Sequence, residues 1–153
     1  AEKWSAVAAE LPALGYRTYR LGAREEPAPG FATVQASDGV LENALLRLEF
    51  DPITGCLISL RDLEQGLEAL AGPAAKPVVI EDLSDTWGHN VFRFDKAIGV
   101  FEARSLKLVE HGPVKSVLRV RSEYGASSLI QDFALRRHSR LVEVSVTLDW
   151  HEK

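Results

Sequence analysis

The chain has 153 residues, 46% hydrophobic and 26% charged, which is the size and make-up of one globular domain with a core of its own. A formal net charge of −4 and a pI near 5.6, with no basic block, argue against a nucleic-acid partner. The single cysteine, Cys56, excludes an internal disulfide framework and a cysteine-built zinc site, and no apolar run is long enough to span a bilayer.

Nothing resembles a signal peptide, and the chain contains no methionine, even at position 1. A piece of a larger protein is therefore expected. Ala1 to Glu10 is built of helix-forming residues with Trp4, Val7 and Ala8 on one side, too short a helix to be stable alone. Leu11 to Leu21 reads as an extended linker strand with Pro12 near its start; Tyr16 and Tyr19 fall on opposite faces, so one is expected to point outward. Arg24 to Gly30, with Pro27 and Pro29, is a loop. Residues 1–30 are thus a linker segment and 31–153 the main domain.

Phe31 to Ala36 suggests a short strand and Ser37-Asp38-Gly39 a tight turn. Ala44, Leu46, Leu48 and Phe50 alternate with Leu45, Arg47 and Glu49, the period of a half-buried strand. Asp51-Pro52-Ile53-Thr54-Gly55 supplies turn chemistry, and Cys56, Ile58 and Leu60 then alternate with Leu57, Ser59 and Arg61. Leu41 to Asp62 is read as a hairpin. Leu57, Leu60, Leu63, Leu67 and Leu70 also follow a helix-like spacing, but Gly66 and the preceding turn favour strand then loop. Cys56, in an apolar run, is expected as a small core residue.

Pro77 to Ile80 is a β-branched run that leads into Glu81-Asp82-Leu83-Ser84-Asp85-Thr86-Trp87-Gly88-His89-Asn90. This stretch is dense in carboxylates, hydroxyls and rings and lacks a hydrophobic period, so it belongs on a loop that touches something. Strands are expected on both sides, with Phe92 and Phe94 alternating with Arg93 after it. Val100 to Glu110, then Leu118 to Tyr124, then Leu129 to Leu135 follow, with turns at His111-Gly112-Pro113 and around Gly125. The cleanest alternation comes last: Val142, Val144, Val146, Leu148 and Trp150 against Glu143, Ser145, Thr147 and Asp149, which places Trp150 in the core. Many alternating strands with little helix imply an antiparallel β-sandwich.

Asp82 and Asp85 lie near each other in sequence and raise the question of a glycosidase pair, but two acids on one loop more often cap turns. His89, His111, His138 and His151 show no metal-ligand spacing, and no serine sits in a nucleophile elbow. Trp87 has two readings. Its indole offers a flat face for the C–H side of a sugar, with Asp85 and His89 placed to take hydroxyls; or it folds back to cap the core.

Several motifs, in order, resemble one family. Leu11-Pro12-Ala13-Leu14-Gly15-Tyr16-Arg17-Thr18-Tyr19 is similar to the strand that follows the catalytic part of family 38 glycoside hydrolases, the α-mannosidases. Leu41-Glu42-Asn43, Leu46 to Phe50, Asp51 to Gly55 and Ile58 to Asp62 resemble that family's hairpin. Asp82 to His89 is similar to a loop of bacterial members, and Leu148-Asp149-Trp150-His151-Glu152 to the strand end that closes the region. The resemblance implies a mostly β, galactose-mutarotase-like supersandwich, C-terminal to a catalytic domain and continuing beyond this chain. It implies no catalytic residue and no metal ligand here, with zinc, nucleophile and acid/base held by the N-terminal catalytic domain. The partners implied are that domain and an α-mannoside glycan, in a bacterial cytoplasm, with no nucleic acid and no membrane. Asp85, Trp87 and His89 remain as carbohydrate-contact candidates. An independent carbohydrate-binding or mutarotase-like module and a structural subunit-contact domain are the alternatives. An interrupted sandwich would also leave sheet edges open to homo-oligomer formation, near Leu141 to Trp150 or at the linker strand.

Overall fold

A computed structural model describes residues 6, 8, 11–20, 22, 34–83, 87 and 92–152. Five short strands form one antiparallel sheet in chain order: β1 (Gln35–Ser37), β2 (Val40–Glu42), β3 (Leu46–Phe50), β4 (Leu57–Asp62) and β5 (Leu67–Glu68). A two-stranded ribbon follows, β6 (Val78–Ile80) with β7 (Ala97–Val100). Four long strands make the second large sheet, again antiparallel and in chain order: β8 (Glu102–His111), β9 (Lys115–Tyr124), β10 (Ser127–Arg136) and β11 (Val142–Asp149). The protein is a mostly β, antiparallel sandwich. No helix occurs among the described residues, and the expected Ala1–Glu10 helix lies largely outside them.

The two large sheets meet because each strand carries one apolar face. Leu41, Leu46, Leu48, Phe50 and Leu57 from the first sheet pack against Leu118, Val120, Phe133 and Leu135 from the second. Phe50 meets Phe133 edge to face, with ring centroids 4.8 Å apart. Each such side chain, fully buried, contributes roughly 1.5–3 kcal/mol of transfer free energy before entropy is counted. Val34, fully buried, joins this core from just before β1.

The layers are also stitched by one polar residue, Asn43, which is buried in the bend between β2 and β3. Its Oδ1 accepts the backbone N–H groups of Leu45 (2.8 Å) and Leu46 (2.7 Å). Its Nδ2 donates across the sandwich to the carbonyls of Arg136 (2.7 Å) and Ser139 (2.9 Å), at the turn between β10 and β11. Both donor hydrogens of the amide are used, as burial demands.

The helix-like spacing of Leu57 and Leu60 has a strand explanation. Phe50 pairs with Leu57 but Glu49 pairs with Ser59, so Ile58 is an extra residue bulged out of the ladder. The bulge resets the alternation and turns both Leu57 and Leu60 toward the core while Ile58 is left 45% exposed. The strict alternation read from the sequence, with Cys56, Ile58 and Leu60 on one face, is corrected accordingly. Cys56 itself is buried, as expected of a small core residue.

Three other expectations are corrected. Residues 92–96 form no strand; the return strand β7 starts at Ala97. Residues 11–20 join no sheet, and both Tyr16 and Tyr19 are exposed. The β11 alternation is real, but its inner residues are only half covered: Val144, Val146, Leu148 and Trp150 are 49%, 58%, 53% and 46% exposed. The physical reason is coverage. The core shared with the first sheet takes in side chains of β8, β9 and β10 but only Val142 of β11.

Several turns are held by carboxylates whose pKa values are depressed. Asp51 is lowered by the N–H of Ile53, Asp62 by that of Gln65 and by Arg140, and Glu68 by the Ser59 hydroxyl and the Leu60 N–H. Glu143 is lowered by Arg136, and Glu152 by the Ala126 N–H and the Ser127 hydroxyl. A folded-state pKa below the unfolded value gives stability that is present above the unfolded pKa and lost as pH falls through the folded one. The urea midpoint is therefore expected to hold near neutrality and to fall steadily below about pH 4, the ordinary carboxylate range. Unfolding curves across an acid pH series check this; a midpoint that rises on acidification contradicts it.

Candidate functional site

The polar stretch singled out above occupies the connection between β6 and β7. The ribbon pairs Val78 with Val100, Val79 with Gly99 and Ile80 with Ala97. Beyond it the neck is closed twice: the Glu81 N–H donates to the Lys96 carbonyl at 2.9 Å, and Lys96 Nζ meets both Glu81 carboxylate oxygens at 2.8 Å. The ion pair is largely exposed and contributes little on its own, so the ribbon's attachment rests on packing.

That packing is a second, smaller cluster. Val79, Phe101 and Leu129 are buried together with Tyr124 against them. Tyr124 stacks on Trp150 with planes 10° apart, and Phe101 lies beside both rings. Trp150 thus works as a pillar beside the ribbon's base, half exposed, rather than as a residue of the main core. Gly99 makes the arrangement possible: a Cβ there would sit 2.3 Å from a Tyr124 ring carbon. No side chain fits between the β7 backbone and that ring.

Between the two ends of the neck, Leu83, Trp87, Phe92 and Phe94 are 88%, 82%, 93% and 54% exposed. Trp87 therefore does not plug the sandwich core. Asp85 and His89 lie outside the described residues. Among the described residues, no three His, Cys, Asp or Glu side chains come together to hold a metal ion.

Sequence reasoning missed an apolar concavity. A cleft of about 530 Å³ opens between the β3–β4 turn, residues 73–77 and the β7–β8 junction. Ile53, Cys56, Ile58, Pro77, Val100 and Phe101 line it, with Asp51, Lys76 and Arg104 also contributing. Its only advance signal was Ile53, a large apolar residue inside a turn; Ile58 reached the cleft through a bulge that no local pattern announces.

Compared with known families, the chain matches the glycosyl hydrolases family 38 C-terminal domain over residues 41–153. The chain belongs to that family. No curated protein matches it.

Within the family 38 domain, described motif residues turn out to be fasteners. Asn43 of Glu42-Asn43 ties the sheets together, as above. Asp62 accepts the N–H groups of Glu64 and Gln65, both at 3.0 Å, and Arg140 reaches both Asp62 and Glu64 from the β10–β11 turn. Glu152 accepts the Ala126 N–H at 2.7 Å and the Ser127 hydroxyl at 2.9 Å, which fixes the residues after β11 to the β9–β10 turn. Each is an acid or amide that a sequence reader would test for catalysis, and each is spent on backbone groups and ion pairs.

Proposed function

We propose that this chain is the non-catalytic accessory sandwich of a zinc-dependent retaining α-mannosidase, and that it supports and helps shape the sugar pocket. The observation that carries the reading is the family 38 C-terminal match over 41–153. Zinc belongs to the N-terminal catalytic domain in this reading; the described residues here bring no three-ligand set together for it. The loop beyond the Glu81–Lys96 neck serves as a lip. Trp87 would stack on a sugar C–H face while Asp85 and His89 take hydroxyls. Support for the lip comes from the 82% exposure of Trp87 on a ribbon whose base is packed in place.

The same exposure favours a second reading, an independent carbohydrate-binding or mutarotase-like module. Calorimetric titration of the isolated chain with mannose and galactose separates the two. A lip completed by another domain predicts no measurable heat from either sugar, for the chain and for Trp87→Ala alike. Saturable heat abolished by Trp87→Ala would replace the accessory reading with the independent module.

A further inference from the structure

The outer face of the second large sheet carries more cations than its acids answer. β8, β9 and β10 together hold four carboxylates, Glu102, Glu110, Glu123 and Asp132. Each is taken: Glu102 and Glu123 by Arg104 at 3.1 and 2.9 Å, Glu110 by Lys115 at 2.9 Å, and Asp132 by Arg119 through two hydrogen bonds of 2.7 Å. Arg136 turns to Glu143 of β11 at 2.9 Å. Lys107 and Arg121, both exposed, are left with no ion pair among the described residues.

The strand register brings these two cations to one place. Lys107 of β8 stands directly opposite Arg119 of β9, and Ser105 directly opposite Arg121. Opposite residues share a face, and so do residues two apart in a strand, so the four mark the corners of a patch roughly 5 Å by 7 Å at the backbone. Leu106 and Leu108 pack on the core from the other side. Two bulges, at Ala103/Ser105 and Leu108/Glu110, bracket the stretch. Arg104, the extra residue of the first, resets the alternation: Ala103 packs on the core, while Ser105 and Lys107 turn outward with Arg121 and Arg119. Bulges that re-aim side chains are over-represented beside functional sites. A concavity of about 240 Å³ opens at the Ser105–Arg121 pair, lined also by Ser128, Ile130 and the mutually paired Arg104 and Glu123. The Ser105 hydroxyl makes no hydrogen bond among the described residues.

A lysine opposite an arginine is a local fault, because like charges directly opposite one another destabilise a sheet. Folded sequences accept such faults chiefly at functional sites. Lys107, Arg119 and Arg121 set against Asp132 leave two positive charges uncompensated on one small patch. We propose that Ser105, Lys107, Arg119 and Arg121 bind a dianionic tetrahedral group, a phosphate either free or carried as a monoester. Such a group brings about −1.5 to −2 charges at neutral pH and three strong acceptor oxygens. That matches both the deficit and the donors: one hydroxyl, one ammonium and two guanidiniums. Arg119 is held in orientation by its two bonds to Asp132, so it loses little freedom on meeting the anion. A carboxylate would answer only half of the charge.

Titration of the isotope-labelled 153-residue chain with inorganic phosphate, followed by nuclear magnetic resonance at an ionic strength held constant with chloride, reads the site. Saturable shifts are expected at the Arg119 and Arg121 Nε–H groups and at the Ser105 and Lys107 amides. Half-saturation should come near about 1 mM, the range of a few exposed charge-assisted hydrogen bonds. Binding should tighten several-fold as the pH rises through about 6, where phosphate loses its second proton. Lys107→Gln and Arg121→Gln should each weaken it about fivefold or more. Lys107→Gln should also raise the urea midpoint in chloride, because the like-charge contact is relieved, so a weakened site is not mistaken for a damaged fold. Glucose 6-phosphate separates the two sources: tighter binding than inorganic phosphate assigns a sugar phosphate, and equal or weaker binding assigns the free anion. Absence of saturable shifts up to about 20 mM phosphate, twentyfold above the expected midpoint, overturns the proposal. So do shifts that both glutamine variants leave unchanged, and acetate that binds as tightly as phosphate. None of these outcomes bears on sugar binding at the Trp87 loop, which is read by calorimetry.

Discussion

Replacing Asn43 with alanine is expected to cost about 3 kcal/mol of unfolding free energy, because buried groups left without a hydrogen bond cost roughly 1–3 kcal/mol each. The change strands two carbonyls, those of Arg136 and Ser139, and two N–H groups, those of Leu45 and Leu46. Some of that loss is recovered where water reaches the bend, which keeps the total below the sum of four penalties. Asn43→Asp tests the assignment more sharply. The carboxylate keeps both accepted N–H bonds but points its other oxygen at two carbonyls, in a site where a charge is poorly solvated. Its pKa must rise above the unfolded value, so the aspartate variant is least stable at neutral pH and gains on the parent as pH falls. Urea unfolding at neutral and acid pH reads this; an aspartate variant with the parent's stability at neutral pH would show that Asn43 donates nothing.

The second large effect is at Gly55, in the turn between β3 and β4. Its φ is 68°, and a Cβ would lie 2.6 Å from Val120 Cγ1 and 3.1 Å from Ala103 Cβ. Val120 is in the core and cannot yield. Gly55→Ala therefore combines a left-handed backbone cost of roughly 1–2 kcal/mol with overpacking of about 1–3 kcal/mol. Gly66 isolates the first contribution: its φ is 67°, but nothing lies within 4 Å of the added carbon. Thermal unfolding should put the Gly55→Ala midpoint roughly 10 °C below the parent and the Gly66→Ala midpoint only about 3 °C below. Equal shifts would mean that the contact with Val120 is relieved at no cost.

Much of the fold was legible because most strands alternate cleanly. Val142 to Leu148, Leu129 to Leu135 and Leu46 to Phe50 all stand where the period of two puts them. What the pattern could not convey is which faces a second layer covers. The β11 stripe looks like core in sequence and is half exposed in the molecule, because coverage depends on where the opposing sheet stops. Bulges are equally silent: Ile58 shifts the face of every residue after it, and the cleft that holds Ile58 depends on that shift. Of the polar stretch after β6, residues 81–83 and 87 are described and stand outside any helix or strand. The apolar display of this connection was only partly legible, since Phe92 and Phe94 alternate like strand residues yet stand exposed outside any sheet. The motif acids and amides were visible too, but their roles as clamps depend on partners distant in sequence, 93 and 96 positions for Asn43 and 78 for Arg140 with Asp62.

In the role proposed above, this family 38 domain supports a glycosidase without performing the reaction. The direct measurement is turnover of an aryl α-mannoside by the isolated 153-residue chain, with added zinc and again with a chelator. No release above the uncatalysed rate is expected under either condition. Turnover that rises with zinc and disappears with the chelator would contradict it and place a complete active centre within these residues.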